Sequence, residues 1–340
     1  MNEQFEWKTL PFAYQKTNGN VRCIYKNGKW GAIEFHESEY INLHMAATCL
    51  HYGQECFEGL KAYRGKDNKI RLFRWKENAL RLRRTAEYIL SATVPDEIFH
   101  EALIMAVKKN IEFVPPYGSG ASLYIRPLLI GIEPKVGVNP SGEYLFLVFV
   151  TPVGPYFKTG FKPSTVVVER DSDRAAPLGT GHIKVGGNYA ASLKVTINAH
   201  KNGYSSAIYL DPKEKKYIDE CGPANFFAIK GNTYITPDSH SILPSITNMS
   251  LQALAMKMGM KVEKRPVLFT ELETFDEVGQ CGTAAVISPI GKIFDPLDNK
   301  VFSFGDGENS GPISKTLYET LVGIQYGDIE DTFNWITIVE

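Results

Sequence analysis

The chain has 340 residues, with 37 Lys and Arg against 38 Asp and Glu, a formal net charge of -1. That balance argues against a partner recognised through phosphate neutralisation, so no nucleic acid is expected. Hydrophobic residues at 44% and charged residues at 22% exclude disordered and fibrous classes, and the length favours two domains over one.

The opening Met1 to Lys8 carries an early acid and lacks the basic end and apolar run of a secretory signal. No apolar stretch is long enough to span a bilayer, and the five cysteines are scattered without a Cys-x-x-Cys pair. A reduced, cytoplasmic protein with no membrane association and no metal site is expected.

Along the first half, Ile70 to Phe73 reads as a strand, and Lys76 to Ala92 as a helix with an apolar stripe at Ala79, Leu82, Ala86, Ile89 and Leu90. A second helix is expected from Pro95-Asp96 to about Phe113, stopped by Pro115-Pro116. Ala121 to Gly131 and Tyr144 to Val150 read as buried strands. Chain breakers then gather in Thr151 to Pro155, with Gly160 and Pro163 after them, which sets the expected organisation: a small N-terminal domain over 1–153, a connection over 154–164 and a large domain over 165–340.

In the second half, a strand at Thr165 to Glu169 leads to the glycine-rich loop Gly179 to Gly187, then to a helix from about Asn188 to His200 capped by Asn202-Gly203. Antiparallel strands are expected over Ser206 to Pro237, with a helix from about Asn248 to Met258 after them.

Lys184 stands in that loop, where a lysine is out of place unless the backbone approaches a ligand. Two chemistries suit a glycine-rich loop with a lysine before a helix: a phosphate cradle of the Walker type, or a Schiff-base lysine beside a cofactor. The Walker order needs Gly-Lys-Ser/Thr, and Ile183-Lys184-Val185 breaks it.

The loop has company. His182 to Tyr189, Asp219 to Phe227, Leu243 to Thr247 and Gly282 to Ala285 together resemble the signature of the class IV aminotransferases, the fold-type-IV pyridoxal-phosphate enzymes. Within that class, His51 to Gly53, Phe57 to Ala62 and Ser122 to Gly131 look like branched-chain amino-acid aminotransferases.

The resemblance implies an α+β fold in two domains, a smaller N-terminal one and a larger C-terminal one with a β-barrel-like core flanked by helices. It implies transfer of an amino group between L-leucine, L-isoleucine or L-valine and 2-oxoglutarate, with glutamate as the other product, on pyridoxal 5'-phosphate. Lys184 is then the catalytic Schiff-base lysine, and a carboxylate at Glu220 keeps the cofactor's ring nitrogen charged. Tyr189 meets the phenolic oxygen; Arg81, Ile246, Thr247 and Thr283 meet the phosphate, two of them at a helix N-terminus that favours an anion.

The substrate pocket implied by the resemblance is an aromatic wall of Phe12, Tyr52, Phe57, Tyr124 and Tyr156, with Arg126 for the carboxylate end and Thr283 and Ala284 facing the substrate. Tyr52 belongs by resemblance to the neighbouring subunit's site, hence a homodimer whose active site is completed across the interface. Ala285 to Ser288 stands where some members carry Cys-x-x-Cys, and Pro223 where many carry Ser or Thr; Cys221 and Cys281 are expected to be buried hydrophobes. The neighbouring readings are a D-amino-acid aminotransferase or an aminodeoxychorismate lyase, and, from another class, a phosphate-loop nucleotide-binding module.

Overall fold

In a computed structural model that describes residues 5–156 and 160–339, the chain forms two compact units. The first comprises 1–158, the tetrapeptide 183–186 and 323–340; the second comprises 159–182 and 187–322. The expected connection over 154–164 includes residues 157–159, which lie outside the described residues.

The first unit is built on a nine-stranded sheet. Its strands are β1 (Asn20–Lys26), β2 (Lys29–Trp30), β3 (Glu34–His36), β4 (Glu55–Phe57), β5 (Leu60–Arg64), β6 (Ile70–Phe73), β7 (Ser122–Gly131) and β8 (Tyr144–Val153), with a last strand, Ile336–Val339, returning beside β6. The long antiparallel pair β7 and β8 forms its centre. Alternation along the strands sorts the two faces: Leu60, Ala62, Leu123 and Ile125 enter the core, so Lys61, Tyr124 and Arg126 occupy the opposite face. Helices α2 (Trp75–Tyr88) and α3 (Asp96–Lys109) cover the core face, while the short α1 (Thr48–Tyr52) precedes β4.

Both expected helices in this unit end early, for identifiable reasons. After Tyr88 the chain enters a left-handed turn at Leu90 (φ 54°), and the Ser91 N–H reaches the Ala86 carbonyl at 2.8 Å. This is a Schellman-type stop with leucine where glycine is usual, so the sequence does not announce it. At Asn110 the buried side-chain amide donates to the Ala106 and Gly19 carbonyls, and Ile111–Phe113 continues only as a 3-10 turn.

The second unit contains the expected barrel. Strands β9 (Ser164–Glu169), β10 (Ala207–Leu210), β11 (Ile218–Cys221), β12 (Ala224–Lys230), β15 (Glu277–Gly282) and β16 (Val286–Asp295) pair in a closed ring of six, completed by β11 against β12. Beside it lie β13 (Thr233–Pro237), β14 (Lys261–Arg265) and β17 (Lys300–Ser303). The expectation of antiparallel strands over 206–237 holds for β10 through β13, but β9 pairs in parallel with β10 and β16, and β13 with β14. Parallel neighbours come from distant sequence and no local turn signals them. The unit also carries α4 (Gly186–Lys201), α5 (Ile246–Lys257) and most of α6 (Pro312–Tyr326).

Candidate active site

Lys184 is seated in the first unit. Its neighbours Ile183 and Val185 are buried in that unit's core, and this strand-like alternation turns Lys184 to the other side. There its Nζ lies 4.8 Å from the centre of the Phe57 ring. Helix α4 begins at Gly186, so Lys184 precedes it and Tyr189 lies inside it.

The same sheet face carries much of the expected substrate wall. The Arg126 guanidinium lies 4.7 Å from the centre of Phe57 and 5.3 Å from that of Tyr124, and its Nη2 donates to the Tyr124 hydroxyl at 2.9 Å. Arg126 Nε is buried and meets no acceptor among the described residues, as suits a guanidinium awaiting an anion. Phe12 packs edge-on against Tyr124, ring centres 5.1 Å apart. A Cβ at Gly59, in the link between β4 and β5, would collide with the Tyr124 hydroxyl, so glycine lets the backbone pass close to it. Lys184, Phe57, Tyr124, Arg126 and Phe12 therefore form one group. Tyr52 is exposed, and its contacts run instead to the Val136 carbonyl and the His51 ring; Tyr156 is exposed as well.

Arg81 lies on α2 with its side chain largely covered. It makes a two-pronged pair with Glu58, Nε to Oε1 and Nη2 to Oε2 both at 2.7 Å, and the Glu58 side chain is fully buried. Asn78 donates to the same carboxylate at 2.8 Å. Glu58 escapes a reading of the sequence because a lone acid inside an apolar motif carries no pattern of its own.

In the second unit Glu220 lies on β11 and is buried. Its Oε2 accepts from Asn225 at 2.8 Å; its Oε1 forms an ion pair with Arg174 Nε yet receives no well-aligned hydrogen bond. Burial pushes this carboxyl up to about 7, against the lowering effect of the Arg174 charge. Arg174 is itself fixed by the Ser241 carbonyl at 2.8 Å and the Gly181 carbonyl at 3.2 Å, and nothing in the sequence marks it.

Strand register places Glu220 opposite Asn225, and Asn225 opposite Cys281. The turn Thr283-Ala284-Ala285, which joins β15 to β16, follows directly. Cys221 and Cys281 are buried, with thiols pushed well up by that burial, which fits inert packing residues.

Ile246 and Thr247 form the first turn of α5 rather than preceding it, because Ser245 is the N-cap and accepts from the Asn248 N–H at 3.2 Å. Their own N–H groups have no acceptor within the helix, which makes this end receptive to an anion. Tyr189 lies in the first turn of α4, whose start is tied to the glycine-rich loop by Thr180 and Asn188, each bonded to the other at 2.6 and 2.7 Å.

The family described as amino-transferase class IV matches residues 55–293. The chain is 47% identical to a branched-chain-amino-acid aminotransferase of Haemophilus influenzae, over 99% of this chain and 100% of that one. Among solved structures, a branched-chain amino acid aminotransferase of Escherichia coli superposes with a TM-score of 0.80 at 29% identity, covering 96% of this chain and 100% of that one. The PLP-form of the branched-chain amino acid aminotransferase from Thermobaculum terrenum gives 0.78 at 24% identity, over 96% and 100%, a likeness of fold.

Proposed function

From the premise that the chain belongs to the class IV amino-transferases, we propose how its residues perform the reaction of a branched-chain amino-acid aminotransferase. That reaction moves an amino group between L-leucine, L-isoleucine or L-valine and 2-oxoglutarate, and its cofactor is pyridoxal 5'-phosphate.

The residues suit that cofactor. Glu220 offers a buried carboxylate oxygen with room for one more hydrogen-bond donor, the requirement for a charged ring nitrogen, and the first turn of α5 offers N–H groups to a phosphate. When bound, the cofactor supplies an electron sink that lets the substrate's Cα–H bond break. In this reading the Lys184 amine would hold the cofactor's aldehyde and would also carry the proton to and from the substrate Cα. Glu220 would face the ring nitrogen, whose positive charge would favour the ionised carboxylate against the effect of burial. Tyr189 orients the phenolic oxygen, and Arg81, Ile246, Thr247 and Thr283 hold the phosphate.

Phe57, Tyr124 and Phe12 give aliphatic side chains an apolar surface, while Arg126, with its unengaged Nε, takes the second carboxylate of glutamate or 2-oxoglutarate. The roles of Tyr156, and of Thr283 and Ala284 toward substrate, complete the proposal.

Tyr52 serves the partner subunit of a homodimer; its exposure, with that of Leu50 and Met45 around the same short helix, supports this assignment. All five cysteines are free, which supports a cytoplasmic setting. The small N-terminal domain over 1–153, the connection over 154–164 and the large domain over 165–340 belong to the same reading.

The observation that carries the assignment is the seat of Lys184, flanked by two core residues and facing Phe57. Lys184→Ala is expected to abolish the visible absorption of the bound cofactor together with nearly all turnover of L-leucine. Normal turnover in that variant would refute it.

A further inference from the structure

The catalytic lysine hangs from a short loop, yet its backbone is fastened by Phe57 and by two residues outside the set named above. Its N–H donates to Thr85 Oγ1 at 3.1 Å, and its carbonyl accepts from the Phe57 N–H at 3.2 Å. Two residues on, the Gly186 N–H donates to Glu55 Oε1.

Each side chain is set up for that task. Thr85 is completely buried on α2 and spends its own proton on the Arg81 carbonyl at 2.9 Å, so its oxygen can only accept in the direction of Lys184. Glu55 is the first residue of β4, the strand that also supplies the Phe57 N–H. A Cβ at Gly186 would run into the Glu55 carboxylate, so glycine at that position is what allows the approach. Core burial of Ile183 and Val185 fixes which way the segment faces, but it leaves sliding along the strand direction unopposed. The bonds from Thr85 and Glu55 oppose that sliding at either end.

We propose that Thr85 and Glu55 are positioning residues: they hold the backbone of Lys184 so that its amine reaches the reacting atoms from a fixed root. The proposal rests on Lys184 being the catalytic lysine. An amine on a four-carbon stem has ample reach, so a loosened root costs little in binding and much in alignment.

The test compares Thr85→Val and Glu55→Ala with the conservative Thr85→Ser and Glu55→Gln in the full-length holoenzyme. Amide hydrogen exchange over 183–188 is read beside kcat and KM. Thr85→Val and Glu55→Ala should speed exchange of the Lys184 and Gly186 amides about tenfold, the loss of one partly buried hydrogen bond each. They should lower kcat about 10- to 100-fold with KM for L-leucine little changed. Thr85→Ser and Glu55→Gln, which keep an acceptor oxygen, should stay close to the parent.

The proposal is overturned if exchange and kcat are unchanged in Thr85→Val and Glu55→Ala, or if exchange rises equally along β7 and β8, the mark of general loosening. If borohydride fails to trap the cofactor on Lys184 in the parent protein, the aminotransferase reading fails instead. Exchange in the cofactor-free protein would then still decide whether Thr85 and Glu55 hold the segment.

Discussion

Each unit contains a buried carboxylate facing an arginine, and the two pairs are built to opposite ends. Glu58 meets Arg81 through two parallel bonds of 2.7 Å and also accepts from Asn78, so both its oxygens are engaged. Glu220 faces Arg174 through Oε1 without a well-aligned hydrogen bond, and burial holds its carboxyl up near 7. The first pair is a finished anchor that fixes an arginine's direction. The second is unfinished, a carboxylate kept receptive to a further positive group. A buried acid therefore announces a site by the acceptor capacity it leaves over, more than by its charge.

The contrast can be broken most forcefully at Glu58. Glu58→Ala removes a fully buried carboxylate that engages both Arg81 and Asn78, and urea unfolding should register a loss of about 3 kcal/mol. A loss no larger than that of a surface substitution would show that the pair anchors nothing.

Glu220→Gln should behave the other way, retaining the fold because Arg174 keeps its bonds to the Ser241 and Gly181 carbonyls. Its kcat for L-leucine should fall by about 10²- to 10³-fold, the scale of removing one preorganised charge contact at a reacting centre. Equal loss of stability and turnover would erase the distinction between the two pairs.

The smallest effect is in the pH dependence of stability without cofactor. A carboxyl raised from 4.5 to about 7 leaves the folded state holding more protons than the unfolded chain between those values. Stability should therefore fall as pH rises through that window, by at most about 1.4 kcal/mol per pH unit. Thermal melts of the cofactor-free protein should show the slope, and Glu220→Gln should lessen it, leaving the smaller share of Glu55 and Asp219, which burial also raises.

Lys184 and Glu220 are conspicuous in the sequence because each sits in a motif of distinctive order, Gly179 to Gly187 and Asp219 to Phe227. Glu55, Glu58, Thr85 and Arg174 are not, since each acts through a partner distant in the chain and is locally an ordinary acid, hydroxyl or base. The fold divides along similar lines. The helical stripe of α2 and the apolar runs of β7 and β8 are plain, whereas the strands after Met258 and the helix at 312–326 are absent from the sequence reading.

Strand β15 hides behind Gly279, where a Cβ would strike the Phe227 ring, and β16 behind Ser288-Pro289 and Gly291. Close packing demands the very residues that read as breakers. Register shifts next to Ile290 where β16 pairs with β9, in keeping with a proline and a glycine inside one strand.

The most direct test of the account is to reduce the purified, cofactor-loaded protein with borohydride and map the labelled peptide. The account predicts a single stable phosphopyridoxyl adduct on Lys184. An adduct on another lysine, such as Lys61 on the same sheet face, with Lys184 unmodified, would contradict it.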